Sequence, residues 1–133
     1  MNDFEKYNIF TPPPSEGLGE AKFMKTKKRH YINFDIAGFS YWEGCLVFNE
    51  LKIGTELKFM REEDNKFDPY AVAIYYGESK LGYIPRNTNH EISKFLELGH
   101  TDLFEVRINR ITPDAHTENQ VGVIVYIKPK DNQ

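Results

Sequence analysis

The fold of this chain is decided by residues 71–84, which read AVAIYYGESKLGYI. The first six of these residues are largely apolar at successive positions, and this pattern predicts a central strand buried on both faces. Gly77, Glu78 and Ser79 then predict a tight turn, and residues 80–84 predict the strand that returns. The stretch therefore predicts a β-hairpin with its first strand at the centre of a sheet.

Alternation of apolar and polar residues predicts further strands on both sides of this hairpin. Phe34 and Ile36, which flank Asp35, show the pattern before the hairpin, and Val106 and Ile108 show it afterwards. In all, strands are predicted at residues 31–36, 57–61, 71–76, 80–84, 104–108 and 121–127. About six short strands in so small a chain favour a closed or nearly closed β-barrel, because closure removes exposed strand edges.

Two helical segments are predicted beside the strands. The first covers residues 41–51, where Trp42 and Cys45 are among the residues at helical spacing. The second follows Thr88, which is expected to form a capping box with Glu91, and it ends at Gly99. The predicted fold class is therefore mainly β, with one or two short helices packed beside a small barrel.

Composition limits the classes of protein to which this chain can belong. Its 133 residues suffice for one compact domain, and a formal net charge of −3 means that any phosphate-binding site must be a local patch. Cys45 is the single cysteine, so no intrachain disulfide is expected, and its apolar neighbours predict that it is buried. Neither a membrane-spanning apolar run nor a signal peptide is found, so a cytoplasmic location is expected.

Three regions are predicted along the chain. Residues 1–29 read as a flexible leader, because they contain proline-rich and glycine-rich linker sequence and end in a short basic run. Residues 30–128 contain the strand and helix patterns and form the domain. Residues 129–133 form a polar tail.

Three short motifs follow one another within the domain. They are GFSYWEG at residues 38–44, REEDNKFDPYAV at residues 61–72 and LGYIPR at residues 81–86. With these motifs in this order, the chain resembles a HIRAN domain, a module of helicase-like DNA-repair translocases that also occurs as small bacterial proteins. The resemblance implies a small β-barrel related to the OB fold that binds single-stranded DNA at its three-prime end without catalysing a reaction.

The resemblance also implies roles for individual residues. Tyr41 would contact the nucleic acid, Phe67 would stack on the terminal base, and Asp68 would accept a hydrogen bond from the three-prime hydroxyl. Tyr83 and Arg86, which stand where helicase-like members of the family carry histidine and lysine, would hold phosphate. Such a set supplies the aromatic faces, the cation and the hydroxyl acceptor that a pocket for a single-strand end needs.

Four further residues complete the predicted nucleic-acid-binding set: Ser40, Arg61, Asn65 and His116. Ser40 stands where helicase-like members carry an arginine that grips phosphate, so one cation is missing. His116 is the only ring in the loop at residues 112–120, where those members carry an aromatic side chain. Because of these departures, we expect a lower affinity for single-stranded DNA than in the helicase-like members, or a different substrate.

Several of these residues also have a structural alternative. Phe67 could pack beneath the barrel, Asp68 could cap its own loop, and Arg86 could pair with Glu91 on an exposed helix face. Tyr41 could fill the core, and Trp42 is expected to do so rather than to contact a ligand. The positions of these side chains in the fold decide between the alternatives.

Two other functions are open at this point. The same barrel could serve as a protein–protein adaptor that has lost the DNA site, and Ser40, the late loop and the negative net charge favour this interpretation. The acidic residues between 62 and 68 could instead hold a metal ion for a nuclease. The sequence contains no phosphate-binding ATPase loop and no zinc-ligand spacing, so no cofactor, metal or catalytic residue is predicted. Single-stranded DNA is the expected ligand, with a helicase or another repair protein as a second partner.

Overall fold

The computed structural model describes residues 27–130, apart from the side chain of Glu118. Six strands lie within these residues: β1 (Arg29–Asp35), β2 (Glu56–Arg61), β3 (Val72–Tyr76), β4 (Ser79–Tyr83), β5 (Phe104–Ile111) and β6 (Val121–Ile127). Two short α-helices accompany them, α1 (Gly44–Val47) and α2 (His90–Glu97). This part of the chain also has 3-10 turns at Phe39–Tyr41, Phe48–Glu50, Arg86–Thr88 and Thr117–Asn119.

All six strands belong to one sheet with antiparallel neighbours, in the order β1-β6-β5-β2-β3-β4. The two outer strands of this order meet just beyond the end of β1, where Ala37 and Tyr83 exchange two backbone hydrogen bonds of 2.9 Å. The sheet therefore curls until its edges touch, which gives a small barrel-like fold. The predicted class, mainly β with about six strands and one or two short helices, is confirmed.

Apolar side chains fill the inside of this curled sheet. Val72, Ala73 and Ile74 of β3 are all fully buried, so the central strand is apolar on both faces, as predicted. The rest of the chain contributes Phe34, Ile36, Leu57, Leu81, Ile92, Val106, Ile108, Val123 and Val125, among others. Burial of one such large apolar side chain contributes about 1.5–3 kcal/mol, so the sheet keeps its shape mainly through this core.

The first helical segment differs from its prediction. Instead of one continuous helix, the chain forms a 3-10 turn, then α1, then a second 3-10 turn. Phe39 fills the core in place of Trp42, and Gly44 passes directly against its ring. The prediction that Cys45 is buried is wrong, because Gly44 and Val47 take the inward face of α1 and leave Cys45 exposed.

The start of α2 also differs from its prediction. Thr88 belongs to the preceding 3-10 turn, where its hydroxyl donates to the Pro85 carbonyl oxygen at 3.2 Å. The Glu91 carboxylate accepts a hydrogen bond from the Tyr31 hydroxyl at 2.6 Å, and burial together with this bond raises the pKa of Tyr31 to about 12. The predicted capping box is therefore wrong. The predicted stop at Gly99 is confirmed, since this residue has a left-handed φ of 94° just after the helix.

Most of the predicted leader lies outside the described residues, as do the last three residues of the predicted tail. Within the described part, β1 begins at Arg29, the last residue of that leader. After β6 the chain continues without regular structure to residue 130. In residues 27–130, no helix has the length and apolar character needed to cross a membrane.

Replacing Gly82 with alanine is expected to destabilise the sheet where its edges meet. Gly82 has a φ of 148°, and an added Cβ would stand 2.4 Å from the Ala37 carbonyl oxygen. Overpacking of this kind typically costs about 1–3 kcal/mol. Denaturant unfolding measures the loss, with Gly77→Asn in the exposed hairpin turn as the control, because asparagine tolerates a left-handed backbone. An unfolding free energy equal to that of the wild type would contradict the expectation.

Candidate nucleic-acid interface

All three sequence motifs contribute to one groove on the surface of the barrel. Its volume is about 720 Å³, within the range of pockets that hold small organic ligands. The groove is lined by Ala37, Gly38, Tyr41, Trp42, Asn65, Phe67, Asp68, Ala71, Tyr83, Ile84 and Arg86. The residues to which the resemblance gives a role therefore lie together, although they are far apart in the sequence.

The first wall of the groove is the turn after β1. Gly38 takes a left-handed φ of 72°, and its carbonyl oxygen accepts a hydrogen bond from the Tyr41 N–H at 3.0 Å. Because Phe39 anchors this turn in the core, Tyr41 and Trp42 stay at the surface, where they are 81% and 41% exposed. The expectation that Trp42 fills the core is therefore wrong, and both rings have area available to a ligand.

The second wall is the loop that joins β2 to β3. Its conformation depends on Asn65, whose side-chain oxygen accepts hydrogen bonds from the N–H groups of Phe67 and Asp68 at 2.8 and 3.0 Å. In this loop the Phe67 ring projects into solvent and is 83% exposed. The alternative in which Phe67 packs beneath the barrel is therefore wrong. An exposed ring on a hydrogen-bonded loop is suited to stacking on a nucleobase.

Asp68 supplies a partly buried carboxylate to the groove. One carboxylate oxygen accepts a hydrogen bond from the Tyr70 N–H at 2.9 Å, so Asp68 does cap its own loop. The other oxygen accepts from the Asn89 side-chain amide at 2.9 Å and lies 3.8 Å from Nε of Arg86. A carboxylate has about four lone-pair sites, so Asp68 can still accept a hydrogen bond from a hydroxyl group of a ligand.

The third motif brings a cation to the groove. The Arg86 side chain is 72% exposed, and its guanidinium contacts Asp68 rather than forming the alternative pair with Glu91. An ion pair at this distance whose cation is exposed contributes little to stability, so the guanidinium can turn towards a phosphate. The hydroxyl of Tyr83 is already engaged, because it donates to Glu62 at 2.9 Å.

Glu62 connects the two walls of the groove. One of its carboxylate oxygens accepts hydrogen bonds from the Tyr83 hydroxyl at 2.9 Å and the Asn65 amide at 3.0 Å. The other oxygen pairs with Nζ of Lys80 at 2.6 Å. This ammonium group lies 3.8 Å from the centre of the Trp42 ring. One carboxylate thus positions groups that belong to all three motifs.

The pKa of Glu62 reflects these contacts. Burial raises the pKa of a carboxyl group, but the hydrogen bonds from Lys80, Asn65 and Tyr83 outweigh burial and lower the pKa of Glu62 below its usual 4.5. Burial acts to lower the pKa of Lys80, but its hydrogen bond to Glu62 outweighs this effect and raises the pKa. Both groups are therefore charged at neutral pH, and the ion pair is a constant part of the site.

A Glu62→Gln variant is expected to lose about 1.5–3 kcal/mol of stability at neutral pH, the usual contribution of a hydrogen bond to a charged group. Because the folded-state pKa of Glu62 is lowered, its contribution is present above the unfolded-state pKa and disappears as the pH falls through the folded-state pKa. The stability difference between wild type and variant should therefore shrink in acid. Denaturant unfolding at a series of pH values measures it, with the exposed Glu63→Gln as a matched control. A difference that does not change with pH would contradict this role of Glu62.

Three residues of the predicted set do not line the groove. Ser40 is exposed on the same 3-10 turn as Tyr41. Arg61 lies beside α2, where its Nε donates to the Ser93 hydroxyl at 3.2 Å. His116 belongs to the loop before β6, and the 3-10 turn of that loop packs against the turn that carries Tyr41. Contact of these three residues with a nucleic acid stays a prediction.

Four residues that shape the groove are absent from the predicted set: Trp42, Glu62, Lys80 and Asn89. Trp42 does leave a signal in the sequence, because it adjoins Tyr41 in a motif that already has Phe39 available for burial. The other three act through contacts between separate elements of the fold. No local sequence pattern reports such contacts.

The acidic side chains near the groove serve mainly as acceptors for protein groups. Glu62 is engaged by Lys80, and Asp68 is engaged by Asn89. Across the described residues, no group of three or more histidine, cysteine, aspartate or glutamate side chains is arranged to hold a metal ion.

Comparison with known proteins identifies a family that this chain matches. A family model described as the HIRAN domain matches residues 30–130. A crystal structure of a protein from Lactobacillus plantarum is similar, with 18% identity and a TM-score of 0.64 over 75% of this chain and 94% of that chain. The crystal structure of the HIRAN domain of human HLTF is also similar, with 10% identity and a TM-score of 0.51 over 79% of this chain and 84% of that chain.

At these identities the two crystal structures support the fold alone, and the sequence has no match among curated proteins. The family match carries more weight, because it runs from β1 past β6 and includes all three motifs that form the groove. This chain belongs to the HIRAN domain family.

Proposed function

We propose that this protein binds single-stranded DNA at a free three-prime hydroxyl end and does not catalyse a reaction on it. The observation that carries the proposal is one groove that combines the Asp68 carboxylate, the exposed rings of Tyr41 and Phe67, and the exposed cation of Arg86. A strand end requires these three kinds of group: faces for bases, an acceptor for the terminal hydroxyl and a cation for phosphate.

Asp68 gives the proposed site its preference for a hydroxyl end. A three-prime hydroxyl can donate a hydrogen bond to a carboxylate, whereas a three-prime phosphate would bring negative charge against it. Hydrogen bonds from Tyr70 and Asn89 hold the Asp68 side chain in place. The carboxylate therefore cannot turn away to accommodate a terminal phosphate.

Membership of the HIRAN domain family supports nucleic-acid binding, because DNA binding is the known property of the family. We extend the proposal to a cytoplasmic role in DNA repair, in which a helicase or another repair protein acts beside this domain. Neither a cofactor nor a metal ion is needed for recognition by stacking, hydrogen bonding and charge.

Fluorescence anisotropy with short single strands labelled at the five-prime end tests the proposal. A strand with a three-prime hydroxyl is expected to bind at least about tenfold more tightly than one with a three-prime phosphate, since a hydrogen bond to a charged group contributes about 1.5–3 kcal/mol. Equal binding of both strands would exclude end recognition. Strands incubated with magnesium or manganese should stay intact, and cleavage would favour the nuclease alternative.

A protein–protein adaptor is the second candidate, and exposed apolar side chains outside the groove favour it. Met60 on β2 is 56% exposed, and Phe95 and Leu98, at the end of α2 and just after it, are 40% and 69% exposed. Exposed apolar side chains of this size are available to a protein partner. No DNA binding at low salt would move the conclusion to this candidate.

Replacing Arg86 with alanine is expected to reduce the salt dependence of DNA binding. Each phosphate contact on a single strand contributes about −0.7 to the slope of log affinity against log salt concentration, so the slope should move about 0.7 towards zero. Anisotropy titrations at several salt concentrations measure this change. Lys58→Ala serves as the control, because Lys58 is exposed on β2 and does not line the groove. An unchanged slope for the Arg86 variant would show that Arg86 does not contact a phosphate.

A further inference from the structure

Trp42 has one covered ring face and one that opens into the groove. The Lys80 ammonium lies 3.8 Å from the ring centre, and the Lys80 side chain is only 14% exposed. Tyr83 touches the Trp42 ring edge-on, with 5.8 Å between the ring centres. The Trp42 side chain nevertheless lines the groove and keeps substantial exposure, so its accessible area lies on the side away from Lys80.

The Trp42 ring is also held from its backbone. The next residue, Glu43, is tied to β4 twice: its N–H donates to the Lys80 carbonyl oxygen at 2.8 Å, and its carboxylate accepts from the Lys80 N–H at 2.9 Å. The Lys80 ammonium is in turn fixed by Glu62 at 2.6 Å. A side chain fixed in this way loses little conformational freedom when a ligand stacks on it.

A fixed aromatic ring with one free face in a groove is a stacking surface for a flat ligand. The covered face is occupied by a cation that the ring attracts, so the ligand is left with the opposite face. Nucleobases stack on such rings whatever their sequence, because every base has a π-face. Phe67 lines the same groove from the other wall, on the loop that carries Asp68.

We propose that Trp42 forms a second base subsite, which takes the nucleotide preceding the terminal one. The inference rests on the proposed function, in which Phe67 and Asp68 hold the terminal nucleotide. It narrows the substrate class to three-prime ends with at least two unpaired nucleotides. In this arrangement Lys80 and Glu62 are positioning residues that hold the ring, and they do not contact the DNA.

A double-mutant cycle between protein and DNA tests the subsite. One set of strands carries an abasic site at the terminal, the second or the third nucleotide from the three-prime end, and each is titrated against wild type, Trp42→Leu and Trp42→Phe. On intact strands, Trp42→Leu is expected to lose about tenfold in affinity, the effect of one stacked base. On strands without the second base, this loss should disappear, and Trp42→Phe should bind closer to wild type than Trp42→Leu.

The outcomes separate the subsite from the proposed function. Wild-type protein that does not distinguish a hydroxyl end from a phosphate end contradicts the proposed function. If wild type does distinguish the two ends, the subsite alone is overturned in either of two cases. In the first, Trp42→Leu loses the same affinity on every strand. In the second, its loss of affinity disappears only on the strand that lacks the terminal base. Leu46→Ala, which removes an exposed apolar side chain outside the groove, should lose nothing.

A second measurement needs no variant. Trp42 is the only tryptophan in the chain, so intrinsic tryptophan fluorescence reports on this ring without a label. An intact strand should quench the fluorescence by stacking, whereas a strand that lacks the second base should bind with little quenching. Equal quenching by the two strands at saturation would overturn the subsite even if Trp42→Leu failed to fold.

Discussion

An Asp68→Asn variant is expected to lose the distinction between a free three-prime hydroxyl and a three-prime phosphate. The substitution removes the negative charge that repels a phosphate and replaces a charged acceptor with a neutral one. Hydrogen bonds to charged groups contribute about 1.5–3 kcal/mol, so the ratio of affinities for the two ends should fall by roughly 10- to 150-fold. A ratio near one is the expected result.

Asparagine is preferred to alanine here because of what surrounds Asp68. Asn89 is almost fully buried and donates its amide to the Asp68 carboxylate, while its own side-chain oxygen has no hydrogen-bond partner among the described residues. Alanine at position 68 would leave the buried amide without an acceptor, at a cost of about 1–3 kcal/mol. Asparagine can keep its oxygen on the Tyr70 N–H and turn its amide towards Asn89. If the Asn89 amide turns over, its unpartnered oxygen accepts from that new amide, and the number of unpartnered buried groups does not rise, so the fold should persist.

Anisotropy titrations of wild type and Asp68→Asn with both kinds of strand measure this effect, and denaturant unfolding verifies that the variant is folded. Asp64→Asn is the matched control, because Asp64 is an exposed carboxylate on the same loop and does not line the groove. Retention of the wild-type ratio by Asp68→Asn would show that another group reads the end of the strand.

Replacing Tyr41 and Phe67 together with alanine is expected to remove most of the affinity for single-stranded DNA. Each base stacked on an aromatic ring contributes about 1–3 kcal/mol, so the double variant should lose about 2–6 kcal/mol of binding free energy, or about 30- to 25,000-fold in affinity. Both rings are more than four-fifths exposed, and surface substitutions of this kind usually change stability by less than about 0.5 kcal/mol. The loss should therefore appear in binding and not in unfolding.

The control for this double variant is Leu46→Ala combined with Ile53→Ala, which removes two side chains of similar exposure outside the groove. An equal loss of affinity in both double variants would mean that general exposed apolar area, and not the groove, binds DNA. The single variants Tyr41→Ala and Phe67→Ala add detail. If their losses of binding free energy sum to the loss of the double variant, the rings stack on two separate bases; if they do not sum, one base is held between the two rings.

The sequence patterns are sufficient for the strands and for the position of α2, but not for the first helical segment. Strand alternation is a local signal with a strict period of two, and the buried run in β3 is apolar without interruption, so these elements are visible in the sequence. The spacing in the first helical segment predicts one helix that includes Trp42, whereas the core accepts Phe39. That choice depends on the space left by the rest of the barrel, and no periodicity within the segment reports it.

The same distinction applies to the site. Tyr41, Phe67 and Asp68 could be named from the motifs, and they lie in one groove. The connection between them could not be predicted, because Glu62 reaches its partners on β4 and on its own loop only after the sheet has formed. The capping box expected at Thr88 is also absent, since Glu91 pairs with Tyr31 from a distant strand. Long-range partners override local propensity at such positions.

The pair of hydrogen bonds between Ala37 and Tyr83 has a consequence for how binding and folding depend on each other. Both residues line the groove, so the place where the sheet edges join is also part of the ligand site. Pairing between segments that are distant in the chain carries a loop-closure cost that local contacts do not have. A single-stranded DNA end that binds only where the sheet edges are joined would stabilise the folded barrel, because a ligand that binds the native state alone shifts the folding equilibrium towards that state. If DNA binds this groove as proposed, opening of the barrel at this join would release the DNA, and bound DNA would oppose the opening.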